Sequence, residues 1–167
     1  HQPSYVFRGH KADIYEGGHR IPLLVRWPGE ITPGAQSAQT VCLVDLLATM
    51  LAIHRDRLPE DAGEDRVSNL PVWRGGALDG SLREATIHHS VDGSFSIRAG
   101  RWKLEMCPGS GGWSYPRPGA ECEGLPPIQL YDLDVDIGER RNVESEHPDI
   151  VEALTDLLTR YVLEGRS

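Results

Sequence analysis

A glycine pair, Gly17-Gly18, stands between a loop that carries Lys11 and an almost unbroken apolar run from Ile21 to Trp27. Glycine accepts backbone angles that other residues resist, so the pair reads as a bend. The run behind it predicts a strand covered on both faces, as in a parallel or mixed sheet. Pro28-Gly29 stops the run, and Glu30 to Gln39 is a turn-rich connection. The bend delivers Lys11 to the edge of that strand. A cation placed by a tight turn at a strand edge is a common way to hold an oxyanion.

Further along, Val41, Val44, Leu47, Met50 and Leu51 recur at helical spacing, widened by Leu43, Leu46 and Ile53. They predict a helix over 40–53 with Thr40 as N-cap. Asp45 interrupts its apolar side and needs a hydrogen-bonded partner or a place at the margin. Residues 54–82 show no clear period, apart from one helical turn at Leu70 to Gly75. Short strands are predicted at Ala85 to Ser90, Phe95 to Arg98, Trp102 to Met106 and Gln129 to Leu133; the second and third alternate apolar and polar residues and are joined closely enough for a hairpin. Pro148 opens a final helix whose stripe is Ile150, Val151, Leu154, Leu157, Leu158, Tyr161 and Val162, and Gly165 stops it. The order is α+β, a unit appended to the edge of something larger.

The 167 residues suffice for one domain with a real core. With 25 acidic against 17 basic side chains and no basic cluster, the chain is a poor nucleic-acid binder. No apolar run is long enough to span a bilayer. The opening His1-Gln2-Pro3-Ser4 lacks an initiating Met and a signal pattern, which reads as a processed chain or a piece of a longer one. Cys42 reads as a small buried hydrophobe. Cys107 and Cys122 flank a Gly/Pro-rich loop and are open to two readings, a disulfide in an oxidising compartment or two free thiols.

Several segments together resemble the type I sulfatases, the arylsulfatase-like enzymes of the alkaline phosphatase superfamily. They are the Lys11-x-x-x-Tyr15-Glu16-Gly17-Gly18-x-Arg20-x-Pro22 segment, Trp27-Pro28-Gly29-Glu30-Ile31 through Gly34, Asp45-Leu46 through Leu51, the Ile97 to Leu104 hairpin, and Leu130-Tyr131-Asp132-Leu133 with Asp136, Glu139 and Asn142. The resemblance implies that residues 1–53 are the tail of an α/β catalytic domain, 54–82 a connection, and 83–167 a small subdomain of about four antiparallel strands packed by a long C-terminal helix. It implies a sulfate ester substrate, a formylglycine nucleophile made from a C/S-x-P-x-R motif, and a calcium ion on oxygen ligands. Neither that motif nor the Asp-Asn metal pair expected before Lys11 is present in this sequence. Members of the family are often periplasmic or secreted.

By the same resemblance, Lys11 contacts the sulfate in the intact enzyme; the blander reading is a solvated lysine. His10 is a candidate for the substrate pocket against an ordinary loop histidine. His1 and His19, near it in sequence, match no zinc spacing. His88, in His88-His89-Ser90, either reaches the cleft or is structural. Trp113, in the loop with Ser110 and Tyr115, either offers an aromatic wall to a sugar or aryl group or packs within its own loop. Arg20 is expected to pair with Glu16 and fix the bend. The chain alone is expected to be catalytically silent. Alternatives are a standalone oligomerising module and a phosphoesterase relative. Exposed apolar surface on the predicted strand and first long helix is expected to drive homo-oligomer formation.

Overall fold

The computed structural model describes residues 3–57, 59, 62–76 and 78–166; His1 of the histidine group lies outside them. Four strands, β1 (Thr86–His89), β2 (Phe95–Ala99), β3 (Trp102–Glu105) and β4 (Gln129–Asp132), form one sheet in chain order. β2 pairs antiparallel with β3, setting Ile97 opposite Leu104 and Arg98 opposite Lys103. β3 pairs antiparallel with β4, setting Leu104 opposite Leu130 and Lys103 opposite Tyr131. Gly100, at φ +56, makes the tight turn between β2 and β3.

Alternation along these strands sorts Ile97, Leu104 and Leu130 to one face, where all three are fully buried. It also sorts Ser96, Lys103, Glu105, Gln129 and Tyr131 to the opposite face. That face is polar, yet it is buried as well, with Lys103 at 0% exposure. Its cover is the N-terminal segment. Lys103 Nζ donates to the Ile14 carbonyl at 2.9 Å, and Arg8 donates to the Tyr131 hydroxyl at 3.1 Å. Ile14, Tyr15, Cys107, Tyr131 and Leu133 form a buried apolar cluster there. The first 21 residues and Ile87–Leu163 accordingly fold as one compact unit, and Pro22–Thr86 belongs to a second.

Four α-helical stretches are present among the described residues: α1 (Glu16–His19), α2 (Asp45–His54), α3 (Leu70–Trp73) and α4 (Pro148–Glu164). α4 buries Leu154, Leu158 and Tyr161, spaced four and then three residues apart. Val162, expected on that stripe, is 57% exposed, because it lies about 80° round the helix from Leu154. Gly165, at φ +68, follows the helix. No described helix is long and apolar enough to cross a membrane.

Two expectations for the second unit are corrected. The run Ile21 to Trp27 is not a strand. A strand needs a neighbour for its backbone donors and acceptors, and no ladder partner lies beside this run among the described residues; Leu24 is 89% exposed. α2 begins at Asp45, not Thr40. Val44 holds the capping position without a side-chain bond, while Asp45 Oδ2 accepts the Cys42 amide at 2.8 Å and draws 42–45 into a turn. Asp45 finds the partners its burial demands: Oδ1 accepts the Val67 amide at 2.9 Å and the Arg83 guanidinium. Thr49 Oγ1, donating to the Asp45 carbonyl at 2.7 Å, accepts the Asn69 amide at 2.8 Å. These bonds fasten α2 to the segment carrying α3.

Candidate functional site

The bend at Gly17-Gly18 is real, but its glycines serve a different purpose from the expected one. Neither has a positive φ. A Cβ on Gly17 would sit 2.3 Å from the Gly9 carbonyl oxygen, and one on Gly18 would sit 2.0 Å from that of Asp13. Close approach of two backbone segments, not an unusual dihedral, excludes side chains here. Gly17 N donates to the Arg8 carbonyl at 2.8 Å, closing residues 8–17 into a loop.

Lys11 rides at the outside of that loop. It is exposed and makes no hydrogen bond or ion pair among the described residues. The backbone around it is pinned. His10 N donates to Asp13 Oδ2 at 2.8 Å, Asp13 N donates to the His10 carbonyl at 3.0 Å, and the Ala12 carbonyl accepts the Val91 amide at 2.9 Å. Ala12 itself is held at φ +90, a conformation costly for a residue with a Cβ.

Asp13, 1% exposed, is the centre of the arrangement. Its Oδ1 accepts the amides of Trp113 at 2.7 Å and Ser114 at 3.0 Å; its Oδ2 accepts His10 N and, at 2.5 Å, the Ser114 hydroxyl. Burial alone would raise its pKa, but the Ser114 side-chain and backbone bonds, then those of His10 and Trp113, outweigh it and hold the carboxyl below its ordinary value. The long loop thus docks on the lysine turn. Gly112 permits it, since a Cβ there would meet the Ala12 carbonyl oxygen at 2.5 Å and Asp13 Oδ1 at 2.6 Å. The structure brings His10 and Trp113 together, with ring centroids 6.3 Å apart, and sets Ser114 Oγ 2.8 Å from His10 Nδ1. Trp113 is 57% exposed, so its ring is not spent on packing its own loop.

His88 lies elsewhere. Its ring stacks on His19 at 4.3 Å and 12°, and its Nδ1 has no hydrogen-bond partner among the described residues. His19 Nε2 donates to the Ile14 carbonyl at 2.6 Å. Burial, then the charge of Lys103, lowers the His19 pKa to about 4; burial, then His19 and Lys103, lowers that of His88 to about 3. Both rings are neutral at pH 7. Beneath them lies a charged cluster that sequence reading missed. Lys103 Nζ is 2.6 Å from Glu139 Oε1 and 3.3 Å from both Glu16 Oε1 and Glu105 Oε1. Arg20 pairs with Glu16 as expected, at 3.1 Å, and Arg98 reaches the same oxygen at 3.5 Å. Burial pushes Glu105 well up against the pull of Lys103, whereas in Glu16 the attraction of Lys103, Arg98 and Arg20 overcomes burial and lowers the pKa. Burial would lower the Lys103 pKa, but Glu105, Glu139 and Glu16 raise it, so Lys103 stays protonated.

Among the described residues no group of three or more His, Cys, Asp or Glu side chains is placed to hold a metal ion. Asp13, the carboxylate beside Lys11, spends both oxygens on internal donors. These residues do not fit a calcium site, and calcium chemistry is not assigned to them. Cys107 is buried, its thiol pushed up to about 12 chiefly by burial, and Cys42, Cys107 and Cys122 are all free.

The chain has relatives in sequence and in fold among known proteins. Over 161 residues the chain is 34% identical to N-acetylgalactosamine-6-O-sulfatase of Bacteroides thetaiotaomicron, covering 95% of this chain and 30% of that protein. The chain is homologous to the C-terminal portion of the type I sulfatases. Mouse steryl-sulfatase is 31% identical over 169 residues, covering 89% of this chain and 27% of its own length. A solved structure from a Bacteroides thetaiotaomicron locus for the metabolism of multiple glycosaminoglycans superposes with a TM-score of 0.77 at 32% identity, covering 93% of this chain and 32% of that one. This sulfatase-derived chain therefore spans about 30% of the length of the curated relatives it matches. No protein-family model matches it.

Proposed function

We propose that this chain is the part of a sulfatase that contributes Lys11 to the hydrolysis of a sulfate ester, with the nucleophile and the calcium ligands supplied by sequence outside these 167 residues. The carrying observation is an ammonium left free on a backbone pinned at both sides. A cation held this way pays little reorganisation when negative charge grows on a sulfate oxygen. His10 and Trp113, whose rings lie together, are the substrate contacts in this reading, the indole offering a flat face to a sugar ring. His88 takes a structural role in this reading, because its ring is stacked on His19. The name of the Bacteroides relative makes an N-acetylgalactosamine 6-sulfate the first substrate to test.

In the intact enzyme, Lys11→Ala is expected to lower kcat/KM about 10²–10³-fold, as loss of one preorganised oxyanion donor does. The 167-residue chain alone, supplied with calcium, is expected to give no turnover of 4-nitrophenyl sulfate. Full activity in the Lys11 variant, or enzyme-like turnover by the isolated chain, rejects the proposal.

A second reading concerns the isolated chain. Leu23, Leu24 and Val25 are exposed, as are Leu43, Val44, Leu47 and Met50 on and beside α2. Apolar side chains in such number favour association, and we propose self-association as its result. Light scattering is expected to show a dimer or larger species, shifted toward monomer by the double substitution Leu24→Asp, Leu47→Asp; a monodisperse monomer at high concentration overturns it.

A further inference from the structure

Asp13 sits between the two halves of the proposed site without belonging to either. Its carboxylate accepts four bonds, one from the lysine turn through His10 N and three from the long loop through Trp113 N, Ser114 N and Ser114 Oγ. Ile14 N, next in the chain, donates to the Ser110 carbonyl at 2.8 Å, a fourth tie between the lysine turn and the Trp113 loop beside the three that Asp13 makes. Gly112 lets them meet, since a Cβ there would strike the Ala12 carbonyl and Asp13 Oδ1, and Ala12 is kept at φ +90 between Lys11 and Asp13. Strain of that kind persists only where the surroundings over-determine it. If stability alone were served, a loop with exposed Trp113 at its tip and a turn with exposed Lys11 would have no need of so many cross-ties to one buried charge.

We propose that Asp13 is the positioning residue of this site, locking the lysine turn to the Trp113 loop so that ammonium and indole address a sulfated sugar as one rigid rim. This rests on the reading of Lys11 given above. Asp13 touches no substrate. Its effect runs through the backbone of His10, Lys11, Trp113 and Ser114, and misplacement of such groups by about 1 Å costs up to about a hundredfold in rate.

The test uses the intact enzyme carrying Asp13→Asn, assayed on N-acetylgalactosamine 6-sulfate at a temperature where thermal melts show it fully folded. kcat/KM is expected to fall about tenfold to a hundredfold. Ser114→Ala, which removes the hydroxyl and keeps both amide bonds, is expected to lose only a small part of that. Gly112→Ala leaves the carboxylate intact but drives the loop off it, and it stands in if Asp13→Asn does not fold; the same direction and size of loss are expected. In nitrogen-15 spectra of the 167-residue chain, the Trp113 and Ser114 amide protons are expected far downfield and slow to exchange, and the Asp13 variant is expected to move both upfield. Unchanged kcat and KM in folded Asp13→Asn, with only a lower melting temperature, overturns the positioning role. If Lys11→Ala abolishes turnover in parallel, that failure is Asp13's alone; if Lys11→Ala is also silent, the reading of the whole site fails.

Discussion

Replacing Lys103 with Met is expected to cost the chain about 3–5 kcal/mol, the usual penalty for stripping the counter-charge from a buried ion cluster. The ammonium is fully enclosed and lies within 3.3 Å of carboxylate oxygens from Glu16, Glu105 and Glu139. Without it, three carboxyls share a water-excluded pocket; Arg98 and Arg20 at its margin are both directed at Glu16, and Arg8 reaches the Glu139 carbonyl rather than its carboxylate. A loss of that size is a large part of the total stability of an ordinary domain. Urea titration followed by tryptophan fluorescence measures it as a lower midpoint. Adding Glu139→Gln to Lys103→Met is expected to recover part of the loss, since it removes the carboxylate closest to the missing charge. A midpoint that does not move in the single variant shows that the cluster carries no net weight.

Acidification is expected to weaken the same unit through His19 and His88. In the unfolded chain both take up protons near the ordinary value of 6.5; folded, they resist until about 4 and about 3. A depressed folded pKa contributes stability that is complete above the unfolded value and is lost as pH falls through the folded one. The window therefore runs from about 6.5 down to 3–4, with a slope approaching about 1.4 kcal/mol per pH unit for each ring. The rings face Lys103, Glu16, Asp13 and Arg98 as well as each other, and these charges move the slope in both directions. Glu105 opposes it: its raised folded value adds stability as pH falls toward 4.5. The contribution of His88 is isolated by comparison with His88→Phe, which keeps a flat ring on His19 and removes the unpartnered Nδ1. Between pH 7 and 5 the wild type is expected to lose about 1–2 kcal/mol more than the variant. Parallel stability curves reject the assignment.

Lys103 also marks where the sequence stopped being readable. The alternation Trp102-Lys103-Leu104-Glu105-Met106 places β3 correctly, and the same signal finds β2 and the hairpin. Alternation separates two faces but does not reveal what lies on each. The polar face is closed by residues some ninety positions earlier, as the Lys103–Ile14 bond shows. Helix α4 was legible because its pattern is local and long. The run Ile21 to Trp27 was misread because apolar content announces burial, whereas a strand also needs a neighbour. At the site, Lys11, Glu16, Arg20 and the glycine pair stood out by motif. Asp13 and Ser114 did not, though the Gly111-Gly112 pair already signalled a close approach of backbone in the Trp113 loop.

The chain leaves its first compact unit after Ile21 and rejoins it at Ile87. Every tie that Asp13 makes lies on one side or the other of that excursion, and none lies within it. The stretch between is thus an insert from the standpoint of the lysine turn: the anchoring of Lys11 stays in the hands of segments far apart in sequence and adjacent in space.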